Sequence, residues 1–251
     1  MSLRVVSLVP SLTLTLFDLG LDATSVVGRT PWCIHPKGEV EQVRIVGGTK
    51  TPKQKRIEEA KPDLVVMDRD ENPKAIYDWC LSMGYDTFVC DVRRPADVPD
   101  MLRALGRKID RKDRAEHFAL AIERALTTLP SGQHRTALPL IWHKPLMAAD
   151  GSTYAGNMLA CAGFDVPVIE PDGTGYPELS LADIVERGVT DLFLSSEPHE
   201  FTVEEKNQLH EALSKLTSTP PRFHFIDGED LTWMGTHTAV AVERLLAAHG
   251  P

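Results

Sequence analysis

Short apolar runs, each closed by a proline, a glycine or a polar turn and then followed by residues at helical spacing, recur along this chain. They constrain its fold more than any other feature. Residues 5–9 are apolar apart from Ser7 and end at Pro10. Residues 26–27, 64–67 and 87–90 repeat the pattern. Between the first two runs, Leu12, Leu16, Phe17 and Leu19 keep helical spacing, with Ser11 or Thr13 as the cap and Gly20 as the stop. Residues 52–60 read as a helix. Another helix carries Ile76, Trp79, Cys80, Leu81 and Met83 and stops at Gly84. Near-continuous apolar strands that alternate with helices predict a parallel sheet covered on both faces.

The middle of the chain reads differently. Over residues 97–129 there is no strand signal, and apolar side chains recur at Val98, Met101, Leu102, Leu105, Ile109, Ala115, Phe118, Ala119, Ile122, Leu126 and Leu129. That is one apolar stripe at helical spacing. A single helix there would run roughly 50 Å at ~1.5 Å per residue; two helices meeting near Asp110 fit the same spacing. Ser131 and Gly132 then break the pattern.

The strand–helix rhythm resumes in the last 120 or so residues. Strands are expected at 138–142, 167–169, 191–194 and 223–226, and helices at 153–162, 181–187, 202–216 and 238–249. Thr202 with Glu205 three residues on forms a capping-box signature. The organisation is α/β: an N-terminal lobe over 1–96, a linking helix over 97–130 and a C-terminal lobe over 131–251.

Composition narrows the function. The 251 residues carry a formal net charge of -9, which argues against a nucleic-acid footprint. The one basic run, Arg103, Arg107, Lys108, Arg111, Lys112 and Arg114, is interleaved with Asp110 and Asp113 and reads as a solvated helix face. No apolar run approaches the ~20 residues of a membrane span. No charged start, apolar stretch and small-residue cleavage site opens the chain. The expectation is a cytoplasmic protein as written, or a periplasmic, extracytoplasmic one if the chain has been trimmed. Cys33, Cys80, Cys90 and Cys161 form no CxxC pair, and the last three sit in apolar surroundings and read as small hydrophobes.

The pieces RVVSLVPSLT over 4–13, VVG over 26–28, VGG over 46–48 and KPDLV over 61–65 together resemble the helical-backbone (class III) substrate-binding proteins of ABC importers. Asp191, Glu197 and Trp233 carry weaker matches in the C-terminal third. The resemblance spans nearly the whole length and is strongest for proteins that carry cobalamin or iron chelates. It implies two Rossmann-like lobes with parallel sheets, joined by one long backbone helix, with the ligand between the lobes. It also implies an ABC permease as partner and a cobalamin, corrinoid or other metal-chelate ligand, an iron siderophore or haem included, rather than an intrinsic cofactor. Two positions depart from the family pattern. Leu14 stands where glutamate often follows the threonine, and Lys74 where cobalamin binders tend to have an acid.

A large planar ligand needs flat apolar walls and a few polar pins. Trp32, Trp142, Tyr176 and Trp233 all fall in segments that follow strands, where open α/β sheets place ligands. Packing inside a lobe is the alternative for each. His35, His143, His199 and His237 lie in loops of the same kind, where an imidazole reaches a chelated metal or a bare ion, or simply hydrogen-bonds. Asn72 and Glu197 are polar candidates on the same rim, and Arg29 is either a rim donor or the partner of Asp68 or Asp70. No catalytic set is found. The GGTKT stretch at 47–51 lacks the phosphate-loop frame, and GST at 151–153 is not a nucleophile elbow. The expected function is therefore a binding protein and not an enzyme, with cobalamin or a corrinoid as the first ligand. A cytosolic corrinoid- or metal-handling protein or enzyme derived from the binding fold, and a bare transition-metal receptor, are the alternatives.

Overall fold

The computed structural model describes residues 3–129 and 135–250. The break expected at Ser131 and Gly132 lies outside the described residues. The chain divides into two compact units. The first holds the residues up to Val92, Asp97–Ala121 and the short segment Trp233–His237. The second holds Arg93–Ala96, the described residues of Ile122–Thr232, and the last helix.

In the first unit, strands β1 (Val5–Ser7), β2 (Val26–Gly28), β3 (Leu64–Asp68) and β4 (Asp86–Cys90) form one sheet in the order β2-β1-β3-β4, all pairs parallel. β1 and β3 are buried throughout, which explains their unbroken apolar runs. Helices α1 (Pro10–Asp18), α2 (Gln54–Ala60) and α3 (Lys74–Ser82) follow β1, β2 and β3. Val6, Leu8, Ile57, Val65, Met67 and Ile76 are core residues here, each large buried side chain contributing roughly 1.5–3 kcal/mol. Trp79 packs on that core and meets Tyr85 edge-on at 5.8 Å.

The capping expected of Ser11 or Thr13 is not what starts α1. Val9 is the N-cap residue and Pro10 opens the helix, its ring pre-setting φ. Thr13 Oγ1 instead donates back to the Val9 carbonyl at 2.8 Å.

The 97–129 stretch is two helices, α4 (Val98–Lys108) and α5 (Lys112–Thr127), separated at Asp110, which adopts φ +55. The linking helix is therefore α5 alone, about 24 Å long at ~1.5 Å per residue, and it carries the chain from the first unit to the second. Three members of the basic run are engaged by groups elsewhere in the fold. Arg103 Nε donates to Glu116 at 2.7 Å, Lys108 reaches Asp86 at 2.7 Å, and Arg114 donates to the Asp18 carbonyl at 2.8 Å.

In the second unit, β5 (Ala137–Trp142), β6 (Met147–Ala148), β7 (Asp191–Ser195) and β8 (Arg222–Ile226) form a sheet in the order β6-β5-β7-β8. β5-β7 and β7-β8 are parallel, and β6 runs antiparallel. The strand expected at 167–169 does not form. Gly151 donates to the Pro167 carbonyl at 3.0 Å and Asp150 Oδ2 accepts from the Ile169 amide at 2.8 Å, so this segment clamps a turn. The sheet edge beside β5 is taken by β6 instead.

Helices α6 (Tyr154–Cys161), α7 (Leu181–Glu186), α8 (Val203–Ser214), α9 (Gly228–Thr232) and α10 (Thr238–His249) complete this unit. Leu138, Leu140, Ile184, Leu192, Leu194 and Leu209 are among its core residues. The capping box at Thr202 and Glu205 is present at the start of α8. Among the described residues, no helix is long and apolar enough to cross a membrane.

Candidate functional site

In a doubly wound sheet, ligands collect beyond the carboxyl ends of the strands, where the strand order reverses direction. In the second unit that point lies between β5 and β7, which pair in register at Leu140 and Leu194. The chain leaves β5 through Trp142, His143 and Lys144, and leaves β7 through the loop holding Glu197 and His199. Neighbouring strands therefore deliver two of the expected histidines to one place.

The delivery is tight. His143 Nδ1 lies 2.8 Å from Glu205 Oε1, and His199 Nε2 lies 3.1 Å from the same oxygen. The two imidazoles stack at 6.1 Å with 26° between their planes. Trp142, 40% exposed, tilts against His199 at 5.6 Å, its indole N–H donating to the Lys144 carbonyl at 3.1 Å. Phe201 turns an edge to His199 at 4.9 Å and packs on His143 at 6.1 Å. Trp142, His143, Lys144, His199, Glu205 and Gln208 line an open hollow of about 380 Å³.

Glu205 organises this group. Its Oε2 accepts from the Thr202 amide at 2.8 Å and the Thr202 hydroxyl at 3.0 Å, the bonds of the capping box. Those bonds aim Oε1 at both histidines. The Thr202 amide first, with the Thr202 hydroxyl and His199, holds the carboxyl down to about 2. The two imidazole nitrogens and Oε1 lie within 4.8 Å of one another.

The other expected positions divide by unit. In the second, Glu197 Oε1 accepts from Thr232 Oγ1 at 2.8 Å while Ser195 Oγ donates to its carbonyl at 2.6 Å, so Glu197 ties the β7 loop to α9. Tyr176 is half-buried, its amide donating to Thr174 Oγ1 at 3.4 Å. In the first unit, Trp32 is 63% exposed and Trp233 only 5%. Trp233 meets His35 edge-on at 5.6 Å and His237 at 6.5 Å.

Asn72 is buried and committed to backbone. Its Oδ1 accepts from the Asp68 amide at 2.9 Å, and its Nδ2 donates to the Leu8 and Thr49 carbonyls at 3.2 and 3.0 Å. Arg29 is a loop clamp rather than a rim donor or a partner of Asp68 or Asp70. Its Nε donates to the Val43 carbonyl at 3.2 Å, and its Nη1 to the Thr30 and Cys33 carbonyls at 3.1 and 3.2 Å.

The structure adds Glu205, Phe201, Lys144 and Gln208 to the expected set. Glu205 was legible as a capping residue, but its second oxygen had no sequence signal. Six positions separate it from His199, and only the turn between β7 and α8 closes that distance.

Two α/β units with parallel-dominated sheets, joined through a helix and carrying aromatic and imidazole groups at strand ends, define a two-lobed substrate-binding protein. The chain belongs to the periplasmic binding protein family, whose pattern matches residues 5–220. Members of that family bind small-molecule ligands for ABC importers and are not enzymes. A curated relative, the vitamin B12-binding protein of Pectobacterium carotovorum subsp. carotovorum (strain PC1), is 20% identical over 201 residues, covering 78% of this chain and 72% of that one. Among solved structures, the periplasmic vitamin B12 binding protein BtuF of Vibrio cholerae superposes with a TM-score of 0.79 at 17% identity, over 97% of this chain and 95% of that one. The periplasmic heme-binding protein RhuT from Roseiflexus sp. RS-1 superposes with a TM-score of 0.80 at 18% identity, over 99% and 98%. These likenesses establish the fold.

Proposed function

We propose that this chain captures a metal chelate, with a corrinoid of the cobalamin class as its ligand ahead of haem or an iron siderophore, for hand-over to an ABC permease. The observation that carries the reading is the group at the β5–β7 switch point. A half-exposed indole, two near-parallel imidazoles and a phenyl edge share one open hollow. Flat apolar faces suit a macrocycle, and an imidazole nitrogen suits the metal it carries. The vitamin B12-binding relative favours the corrinoid within that class.

A thermal-shift panel over cobalamin, cobinamide, haem and ferric siderophores tests the class, because a tight ligand raises the melting point by mass action. Isothermal titration then tests the site. Trp142→Ala is expected to weaken chelate binding by ~2 kcal/mol or more, the scale of an aromatic anchor. A panel with no shift, or a Trp142→Ala variant that titrates like the parent, would overturn the reading.

A further inference from the structure

The structure assigns a mononuclear divalent transition-metal site to His143 Nδ1, His199 Nε2 and Glu205 Oε1, one that takes a bare ion of the zinc, cobalt or nickel class without any chelate around it. This goes beyond the chelate reading and does not depend on it. Among the described residues, this is the group of three His, Cys, Asp or Glu side chains close enough to share one ion.

The spacing fits an ion. Bonds of ~2.0–2.2 Å in a tetrahedral site put neighbouring ligand atoms about 3.3 Å apart. The two gaps to Oε1 are 2.8 and 3.1 Å, so an ion needs them widened only slightly. Two imidazole nitrogens and one carboxylate oxygen match borderline divalent ions. They suit neither calcium or magnesium, which want oxygen sets, nor copper(I), which wants sulfur. Three protein ligands leave a fourth position, and the hollow in front of the group leaves it open to water or a small ligand.

The support around the ligands is built as well. Thr202 fixes the far oxygen of Glu205 through its amide and hydroxyl, an outer-shell anchor of the kind that orients metal ligands. Phe201 packs against both imidazoles and limits their rotation. On binding, His143 Nδ1 and His199 Nε2 must each present a lone pair to the ion, so any proton carried there is displaced.

The test uses Co²⁺ alone, with no corrinoid or haem present. Titrating the metal-free chain is expected to give the visible bands of a low-coordinate N/O cobalt site, saturating at one equivalent and bleached by Zn²⁺. His143→Ala and His199→Ala should each lower Co²⁺ affinity by more than about 100-fold, beyond the 10–100-fold cost of losing an outer-shell partner. Glu205→Gln should weaken it strongly while the amide oxygen keeps the bonds from Thr202. If the alanine variants melt early, Glu205→Gln decides. No saturable band, or variants that bind Co²⁺ like the parent, would overturn the site. Chelate binding measured in excess EDTA reports separately on the proposed function.

Discussion

Two buried aspartates are shifted in opposite directions, and both predictions follow from their partners. Asp191, at the start of β7, is fully buried. Burial alone would raise its carboxyl, but hydrogen bonds from Arg135, His224 and Thr190 outweigh it and hold the group at about 2. His224 Nε2 sits 2.7 Å away and Thr190 Oγ1 2.8 Å. A carboxyl lowered from 3.8 contributes stability above pH 4, of ~2 kcal/mol, and loses it as pH falls toward 2. Asp191→Asn should cost ~3 kcal/mol near neutrality. The gap to the parent should narrow between pH 4 and 2 in denaturant melts followed by circular dichroism.

Asp68, at the end of β3, takes hydrogen bonds from the Asp70 and Glu71 amides instead. Burial raises it to about 6, against the lowering by the Glu71 and Asp70 amides. The folded chain therefore holds a proton there between pH 4 and 6, and stability falls as pH rises through that window. Asp68→Asn should melt at or above the parent at pH 8 and at or below it at pH 4. A variant less stable at both would show that the charge itself is needed.

Candidate residues differ in how far sequence exposes them. His143 and His199 are legible as loop residues following strands, because the strand periodicity locates them. Asn72 reads as a rim residue from its position, whereas two of its three backbone bonds go to Leu8 and Thr49, which lie far away in the chain.

At the scale of elements, the division of 97–129 is the instructive case. The apolar stripe runs through Val98, Met101, Leu102, Leu105 and Ile109, then skips to Ala115. A continuous helix would place its next inward residue at 112 or 113, and Lys112 and Asp113 stand there. That gap marks the break, and Asp110, a residue type tolerant of the left-handed region, takes it. The turn folds α5 back on α4 so closely that a Cβ on Gly106 would lie 2.3 Å from the Ala115 Cβ. Gly106→Ala should therefore destabilise by ~1–3 kcal/mol through overpacking, despite its better helix propensity. A thermal melt equal to or above the parent would show that the two helices separate freely. The strands and most helices were legible because their periods are local. The edge strand β6 was not, since two residues carry no period.

Over the whole molecule, the chain does not hand one half to the other only once. The segment Trp233–His237 groups with the first unit although the residues on both sides belong to the second. It is fastened to α1. Ser11 Oγ meets Met234 Sδ at 3.2 Å, the Thr236 amide donates to Thr15 Oγ1 at 3.2 Å, and Thr236 Oγ1 donates to Asp18 at 2.5 Å. Gly235, at φ +125, lies where a Cβ would fall 2.1 Å from Thr15 Oγ1. A sequence read as lobe, helix, lobe gives no hint of this return, because its partners are more than 200 positions apart. The two units should accordingly melt in one calorimetric transition. Two resolved transitions, the first lost on deleting residues 122–251, would contradict that.

That fastening also sets an order of events during synthesis. The α1 half is missing five of its own residues until Trp233 to His237 have been made, long after Ala121. At typical elongation rates the wait is roughly 6–20 s. For that interval, the polar groups of Ser11, Thr15 and Asp18 lack their final partners on a nascent chain whose first sheet is already complete.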